Sequence, residues 1–453
     1  MAGDAIRSVD LALDAIAVDD GAINSMITVT ADQAREDAAD ADRAAAEGRW
    51  LGLLHGMPIA IKDNIQTAGV RTTSGSLLFA DTVPNQDAFV VERLRRAGAV
   101  IVGKANLQEL AFGIRSDNPV SGQCRNPWDP SRIPGGSSGG SGAAVAAGFC
   151  QAALGTDTGG SVRLPAAMTG VAGLRPTHGR VSNHGSTPLS PSFDTIGPLA
   201  RTVGDLARLF AVLAAPDRRD PYCDGPPLEN FLPSLDQGVQ GLRIGVPRNH
   251  YFDDLNPDVA HCVEAALAEL EGLGASLINV DVAGAEETHA AATVIVFSDS
   301  CAHFADDLQR RPEAFSKSVY DRMTTGQGYS SVDYANAMRI REGWRQTLAR
   351  LFDDVDIIAS PTTPAPAPPI DDGKNLLAAT RDASRNTYAG GLSGVPGLSL
   401  PCGFARDRLP VGLQLEAAWW QEPMLFRAGV AYQQVTSWHL EKPPVRAAAG
   451  AKT

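Results

Sequence analysis

Cysteine pairs, long apolar runs and lysine are scarce in this sequence of 453 residues, and the first two scarcities each exclude a class of protein. The six cysteines are scattered without a Cys-x-x-Cys pair, so reduced, mostly packed thiols are expected rather than a disulfide scaffold. The sequence contains no run of 18 apolar residues, so no transmembrane helix is expected. The first ten residues lack the basic segment and apolar run of a signal peptide. We therefore expect a cytoplasmic protein that has no membrane partner.

Positive charge is also in short supply, because 39 basic residues face 52 acidic ones and the net charge is −13. Nucleic acids and anionic membranes both reward clustered positive charge. The composition therefore predicts no nucleic acid partner, and a homodimer stays open. A hydrophobic content of 44% with 20% charged residues predicts a globular chain with a large buried core.

The order of predicted elements favours an α/β fold with a large mixed, mostly parallel β-sheet covered by helices on both sides. We expect one domain over residues 1–453, with N-terminal helices at 8–50, a Gly/Ser-rich core at 51–215 and a helical elaboration at about 286–352. A helix is predicted over 87–97 with Asp87 as its N-cap. Residues 170–180 and 190–198, rich in Gly and Pro, are predicted as loops.

The stretch from Pro134 to Pro165 dominates the interpretation of this chain. Two Gly/Ser-rich turns flank one short helix of small residues. Glycine allows positive φ and close approach of the backbone, so two such turns predict a polar pocket lined by N–H groups. A flexible linker would not carry an apolar bridge or the charged pair of Asp157 and Arg163 around its second turn.

Two of the few lysines follow short apolar runs. The chain has six lysines among its 39 basic residues, and Lys62 stands directly after Ile59-Ala60-Ile61. Lys104 has a similar position after a second predicted strand, 99–102. Because ligands of open α/β sheets bind at the carboxyl ends of strands, either lysine could face a site.

Three familiar motifs match the glycine-rich stretch poorly. The triplet Asp157-Thr158-Gly159 resembles an aspartic protease motif, but that chemistry needs two such carboxylates and the chain has one triplet. The Gly-x-Ser-x-Gly pattern at Gly135 lacks the preceding strand that a nucleophile elbow requires. A phosphate-binding loop is excluded because no Gly-Lys-Ser/Thr follows the glycines.

Serine and lysine together offer a better explanation. A serine needs a base to become nucleophilic, and a neutral lysine can act through a relay hydroxyl. Ser137 and Ser161, 24 positions apart, stand one on each glycine turn. Successive N–H groups of the second turn would then stabilise an oxyanion.

This constellation resembles the amidase signature family, through Gly135–Gly140 and Asp157–Pro165 at the spacing of that family. The resemblance implies the amidase signature fold and hydrolysis of a carboxylic amide through an acyl-enzyme, without metal or cofactor. It implies Lys62 as general base, Ser137 as relay after a cis peptide bond, and Ser161 as nucleophile. The resemblance also implies an oxyanion hole formed by Thr158, Gly159, Gly160 and Ser161. It implies that Ala111, Phe112 and Gly136 bind the substrate. Structural support is the role that it implies for Asp157, Arg163 and Lys104.

Within the family, the resemblance favours a stand-alone hydrolase of small amides, aryl and heteroaryl amides among them, similar to indoleacetamide hydrolases. The first alternative is the glutamine-hydrolysing subunit of a tRNA-dependent amidotransferase. Those subunits carry an Asp for the glutamine amine, where the best-aligned residue here is Ser384. The second alternative is a catalytically silent, binding-only member, although all three catalytic positions are filled.

Overall fold

The computed structural model describes residues 4–444, in which eleven strands form one mixed sheet flanked by helices. The strands are β1 (Met26–Val29), β2 (Pro58–Lys62), β3 (Val100–Ala105), β4 (Ala152–Asp157), β5 (Ala172–Arg175), β6 (Thr195–Ala200), β7 (Arg243–Pro247), β8 (Ser276–Val280), β9 (Ile357–Pro361), β10 (Gly397–Phe404) and β11 (Pro410–Ala417). The α-helices are α1 (Asp4–Ile23), α2 (Ala31–Ala46), α3 (Phe89–Arg96), α4 (Gly139–Ala147), α5 (Arg163–Thr169), α6 (Val203–Leu213), α7 (Pro257–Gly272), α8 (Ala285–His303), α9 (Ala305–Arg310), α10 (Lys317–Thr325), α11 (Ser331–Asp354), α12 (Leu376–Ser393) and α13 (Glu422–Val435).

The strands follow the order β1-β3-β2-β4-β6-β5-β10-β11-β9-β7-β8. The predicted mixed sheet between helices is confirmed, but the expectation of a mostly parallel sheet is wrong. Within residues 4–444, four neighbouring pairs are parallel and six are antiparallel. Parallel neighbours need long crossovers, whereas β10 and β11 are joined by a short turn that only an antiparallel pair allows.

The two central strands β5 and β6 lie where loops were predicted. Glycine and proline weaken a strand pattern, and Pro198 of β6 lies opposite Leu154 of β4. On the other side of β6, the ladder with β5 extends only to the pair of Gly173 and Leu199. That ladder therefore ends before it reaches Pro198. A proline is therefore tolerated in the middle of the sheet. The strand pairs that involve β5 or β6 are three of the six antiparallel pairs.

Alternate residues of β2 pack on opposite faces of the sheet. Ile59 and Ile61 belong to a large apolar cluster with side chains of α3, α6, α7 and α13. Ala60 belongs to a second cluster with side chains of α1, α2 and α4. Because side chains alternate along a strand, Lys62 continues the face of Ala60, toward α4.

The N-terminal segment differs from the predicted helices at 8–50. Strand β1 separates α1 from α2 and pairs antiparallel with β3 at the edge of the sheet. Asp87 is not the N-cap of α3, because that helix begins at Phe89 after Ala88. The Asp87 carboxylate instead accepts hydrogen bonds from the Ala68 amide at 2.7 Å and Arg95 Nε at 3.0 Å. Between Ala285 and Asp354, the regular elements are all helices.

Candidate active site

Lys62 is the last residue of β2, and its side chain is fully buried. Its Nζ lies 2.7 Å from Ser137 Oγ and 2.7 Å from Thr156 Oγ1. Burial lowers the pKa of Lys62 to about 7, although the negative charges of Asp194 and Asp157 oppose the shift. A substantial share of this amine is therefore neutral near pH 7 and can accept a proton from a neighbouring hydroxyl.

Ser137 and Ser161 lie on two adjacent turns. The peptide bond between Gly136 and Ser137 is cis, and α4 begins two residues later. The second turn follows β4, the parallel neighbour of β2, and leads into α5. The Ser138 amide donates to the Ser161 carbonyl oxygen at 3.2 Å and joins the two turns. Because parallel strands end at the same edge of a sheet, β2 and β4 carry Lys62 and the turn of Ser161 to one edge, where Lys62 contacts Ser137.

A buried carboxylate shapes the second turn. Asp157 accepts hydrogen bonds from the amides of Gly160 at 2.8 Å and Val162 at 3.2 Å. It also accepts from Arg163 Nε at 3.1 Å and Arg175 Nη1 at 3.0 Å. Burial would raise the pKa of Asp157, but these two guanidinium groups outweigh it and hold that pKa well below its ordinary value. The carboxylate thus stays charged and fixes the backbone around Ser161.

This arrangement also occupies an amide of the turn that was assigned another role. The Gly160 amide was expected in an oxyanion hole, yet it donates to Asp157. Thr158, Gly159 and Ser161 line a pocket next to this turn. A Cβ on Gly159 would come within 2.5 Å of the Tyr388 ring, so only glycine fits under that ring.

We name this pocket the Ser161 pocket. Its walls combine the second turn, the segment after β3 and one face of α12, with Ala111, Phe112, Ser161, Arg322, Thr380, Ser384 and Tyr388 among its residues. Ala111 and Phe112 were predicted to bind substrate and do line the pocket. Gly136 instead lies against Ile114, where a Cβ would come within 2.7 Å of the backbone carbonyl carbon.

Arg322 brings a positive charge to the Ser161 pocket. Its guanidinium stacks over the Phe112 ring at 4.1 Å and donates to the Phe112 carbonyl oxygen at 3.1 Å. Its Nε has no hydrogen-bond partner, and burial lowers its pKa to about 10, so it remains charged at neutral pH. No acidic residue is among the described residues that line this pocket. An anionic group of a ligand would therefore find an uncompensated partner here.

Three further polar residues near Lys62 carry no predicted role. Thr156 bonds Lys62, Asn64 donates to Thr156 Oγ1 at 3.3 Å, and Asp194 accepts from Thr158 Oγ1 at 2.5 Å. Burial raises the pKa of Asp194 to about 6, opposed first by the Thr158 hydrogen bond. Asn64 and Thr156 adjoin motifs that the sequence displays. Arg322 stands in a helical stretch without a motif, so no sequence signal marks it.

Residues 4–444 contain no group of three or more His, Cys, Asp or Glu side chains arranged to hold a metal ion. Within the same residues, no helix has the length and apolar character needed to cross a membrane.

Known proteins are similar to this chain in both sequence and fold. A family model described as Amidase matches residues 7–426. A glutamyl-tRNA(Gln) amidotransferase subunit from Chromohalobacter salexigens is 40% identical over 456 residues, covering 95% of this chain and 93% of that protein. A solved structure described as a vestigial protein complex that reveals the origins of an s-triazine catabolic enzyme is 37% identical, with a TM-score of 0.90 and 95% of both chains covered. The corresponding glutamyl-tRNA(Gln) amidotransferase subunit from Thermotoga maritima is 32% identical, with a TM-score of 0.86, covering 99% of this chain and 96% of that chain.

These relatives correct the prediction of partners. A small-molecule amide was expected from the family resemblance, and the absence of nucleic acid from the net charge of −13. That prediction is wrong for a chain whose relatives at about 40% identity are named as subunits of a tRNA amidotransferase. Net charge averages over the whole surface, so it does not describe a local binding face or a complex in which another subunit supplies the positive charge.

Proposed function

Because this chain belongs to the amidase family, we propose that it hydrolyses a carboxylate-bearing amide such as glutamine, as the amidase subunit of an assembly like glutamyl-tRNA(Gln) amidotransferase. The observation that carries the proposal is the 2.7 Å contact between Lys62 Nζ and Ser137 Oγ, next to the Ser161 turn. A neutral lysine beside one serine, with a second serine on the adjoining turn, supplies base, relay and nucleophile.

The proposed reaction begins with neutral Lys62. Lys62 Nζ takes a proton from Ser137 Oγ, which takes the proton of Ser161 Oγ as that oxygen attacks the amide carbon. The proton returns through Ser137 to the leaving nitrogen, the C–N bond breaks, and the acyl group remains on Ser161. Water then attacks the acyl-enzyme, gives up a proton along the same route, and releases the acid and Ser161.

The oxyanion of the tetrahedral intermediate would rest on the second turn. We assign its stabilisation to backbone N–H groups among Thr158, Gly159 and Ser161, all of which line the Ser161 pocket. Gly160 is left out because its amide donates to Asp157. Fixed donors aimed at developing charge are usually the largest single contribution to such catalysis.

Arg322 gives the proposal its substrate class. A buried guanidinium without a carboxylate partner is complementary to a substrate carboxylate in the same pocket. Glutamine carries that carboxylate. Arg322→Lys keeps the charge but loses the planar fork, so we expect KM for glutamine to rise at least tenfold.

The assembly is tested by reconstitution. We expect ammonia release from glutamine by the chain, and amidation of glutamyl-tRNA(Gln) when the other amidotransferase subunits of its host are added. Ser161→Ala should abolish both reactions, and a fluorophosphonate probe should label Ser161 in the unmodified chain. Labelling without any amide hydrolysis would favour a binding-only family member. A rate of hydrolysis that does not change when the other subunits and tRNA are added would reject the assembly.

A second candidate function is hydrolysis of an amide that has the carboxylate but no ammonium group. The favouring observation is the lack of an acidic residue among the described residues of the Ser161 pocket, where Ser384 donates to the Thr380 carbonyl oxygen at 2.6 Å. An ammonium group would enter this pocket without a counter-charge and lose hydration. The test compares glutamine with glutaramate, which lacks the amine. A preference for glutaramate that Ser384→Asp reverses would favour this candidate.

A further inference from the structure

A second cavity adjoins the Ser161 pocket. This cavity has a volume of about 280 Å3 and is bounded by the ends of β2 and β4, the loop 183–194 and residues 219–222. It shares Ala111, Thr158 and Leu189 with the Ser161 pocket, so the two spaces meet at the second turn. We name it the Asn64 cavity, after the buried residue that lines it next to Thr156.

Asn64 has an unused hydrogen-bond acceptor in this position. The residue is only 2% exposed, and its Nδ2 donates to Thr156 Oγ1 at 3.3 Å. Its Oδ1 is buried without any hydrogen-bond partner. Buried polar atoms nearly always have partners, so an exception requires an explanation, and for a residue that lines a cavity a bound ligand supplies one.

We propose that the Asn64 cavity binds the leaving amine and that Asn64 Oδ1 accepts a hydrogen bond from an N–H of the leaving nitrogen. The inference rests on the proposed amide hydrolysis. In that reaction the leaving nitrogen must receive the proton that Lys62 and Ser137 hold, so it has to lie on their side of the carbonyl carbon. Thr156, which contacts Lys62 at 2.7 Å, lines the Asn64 cavity and marks that side.

The step at this cavity is the collapse of the tetrahedral intermediate. The C–N bond breaks and its electron pair stays on nitrogen, which takes a proton from Ser137 Oγ while Ser137 regains one from the Lys62 ammonium. The Ser161 ester forms as the C=O bond is restored, and a neutral amine leaves. Asn64 accepts a different N–H, one that the nitrogen keeps, and so orients its lone pair toward Ser137.

Charge distinguishes the two spaces. The Ser161 pocket contains the Arg322 guanidinium and no acid among its described lining residues. The Asn64 cavity contains the carboxylates of Asp194 and Asp220, and also Arg219, whose guanidinium is paired with Glu92 and Asp217 outside the cavity lining. An anionic acyl group fits the Ser161 pocket, and a leaving group that bears N–H fits the Asn64 cavity. This polarity therefore allows one orientation of the substrate. A volume of about 280 Å3 far exceeds that of ammonia, since one water occupies about 30 Å3 in the liquid. The cavity therefore admits amides whose nitrogen bears a substituent.

The first test uses two substrates with one acyl group. Glutamine and the γ-methyl ester of glutamate differ in the leaving group, and only the amide nitrogen can donate to Asn64. For Asn64→Leu we expect kcat/KM for the amide to fall at least tenfold more than kcat/KM for the ester. Thr156→Val perturbs Lys62 directly and should lower both rates alike. An equal loss for amide and ester in Asn64→Leu would overturn the proposal.

The second test fills the cavity without touching Asn64. His184 lines the Asn64 cavity, and His184→Trp should lower kcat/KM for γ-glutamylmethylamide relative to glutamine by about tenfold. The matched control is His261→Trp on the exposed side of α7, which should leave that ratio unchanged. An unchanged ratio in His184→Trp, or no cleavage of the methylamide by the unmodified chain, would overturn the proposal. Absence of all amide and ester cleavage would instead reject the proposed function on which the inference rests.

Discussion

Two buried lysines end neighbouring parallel strands, yet they meet different surroundings. Lys62 ends β2, Lys104 is the penultimate residue of β3, and both side chains are fully buried. In the ladder, Lys104 lies opposite Ile61 and Lys62 lies opposite Ala105. Because side chains alternate, this offset of one residue places the lysines on opposite faces of the sheet. The face that Lys62 shares with Ala60 leads toward α4 and Ser137.

The partners of the two amines differ accordingly. Lys104 Nζ donates to the Ile65 carbonyl oxygen at 2.7 Å and Thr72 Oγ1 at 2.6 Å, and lies 3.6 Å from Asp63 Oδ1. Burial lowers the pKa of Lys104 to about 8 against the opposing charge of Asp63, and it lowers the pKa of Lys62 to about 7. Burial thus lowers both pKa values, and a serine in contact is what distinguishes a candidate base from a structural cation.

The largest expected effect separates the two lysines by substitution. Lys62→Met removes the proposed base, so we expect kcat to fall at least ~10³-fold, within the range of general base catalysis. Lys104→Met leaves Asp63 buried without its cation, so we expect a loss of about 3–5 kcal/mol in unfolding free energy, with kcat of the folded protein within tenfold. Turnover and chemical denaturation of both variants measure this. A severe loss of kcat in Lys104→Met with turnover retained in Lys62→Met would exchange the assignments.

A smaller effect is expected in the pH dependence. Lys62 is inactive as a base when protonated, so kcat/KM should rise with pH around a midpoint near 7 and level off above it. Asp194 favours the protonated amine, as does Asp157, while Arg175 and Arg163 lie against those carboxylates. Asp194→Asn removes one negative charge and should move the midpoint down by roughly 0.5–1 unit.

Thr72→Val is the control for that profile, because it removes a contact of Lys104 without changing any charge near Lys62. We expect its midpoint to stay in place. A midpoint that moves upward in Asp194→Asn, or that shifts in Thr72→Val, would contradict the assignment of Lys62 as the base.

The smallest effect comes from single hydroxyl contacts. Thr156→Val removes one hydrogen bond to Lys62, and we expect kcat to fall about fivefold, near 1 kcal/mol in the barrier. Thr72→Val removes the corresponding contact of Lys104 and should leave kcat unchanged. Both variants are measured on protein of matched folded fraction. Equal losses of kcat in the two variants would contradict the different roles assigned to Lys62 and Lys104.

Part of the site could be predicted because its chemistry stands in local motifs. Lys62 after an apolar strand and the serines of the two glycine turns are visible in the chain, and the structure places Lys62 against Ser137. Their catalytic roles remain predictions. Strands β2 and β3 were predicted from short apolar runs, and the structure has both strands.

Other features could not be predicted because they depend on distant partners. The Gly160 amide is occupied by a carboxylate that two arginines keep charged, and no local pattern states which amide a carboxylate will take. Arg322 reaches the Ser161 pocket only because α10 packs near α12, which brings Thr380 within 3.2 Å of its Nη1. Asn64 does not stand out in the sequence until its Oδ1 proves to be unpaired.

By itself, the sequence determined the family, the α/β class and the identity of the candidate serines and lysine, because glycine-rich turns and apolar strands are local consequences of residue type. The tertiary structure decided which of two similar lysines contacts Ser137, which amide of the turn Asp157 occupies, and which charges line the two spaces beside Ser161. The reason is physical: strand register, side-chain alternation and the pairing of buried charges are set between segments far apart in the chain, where no local pattern can specify them.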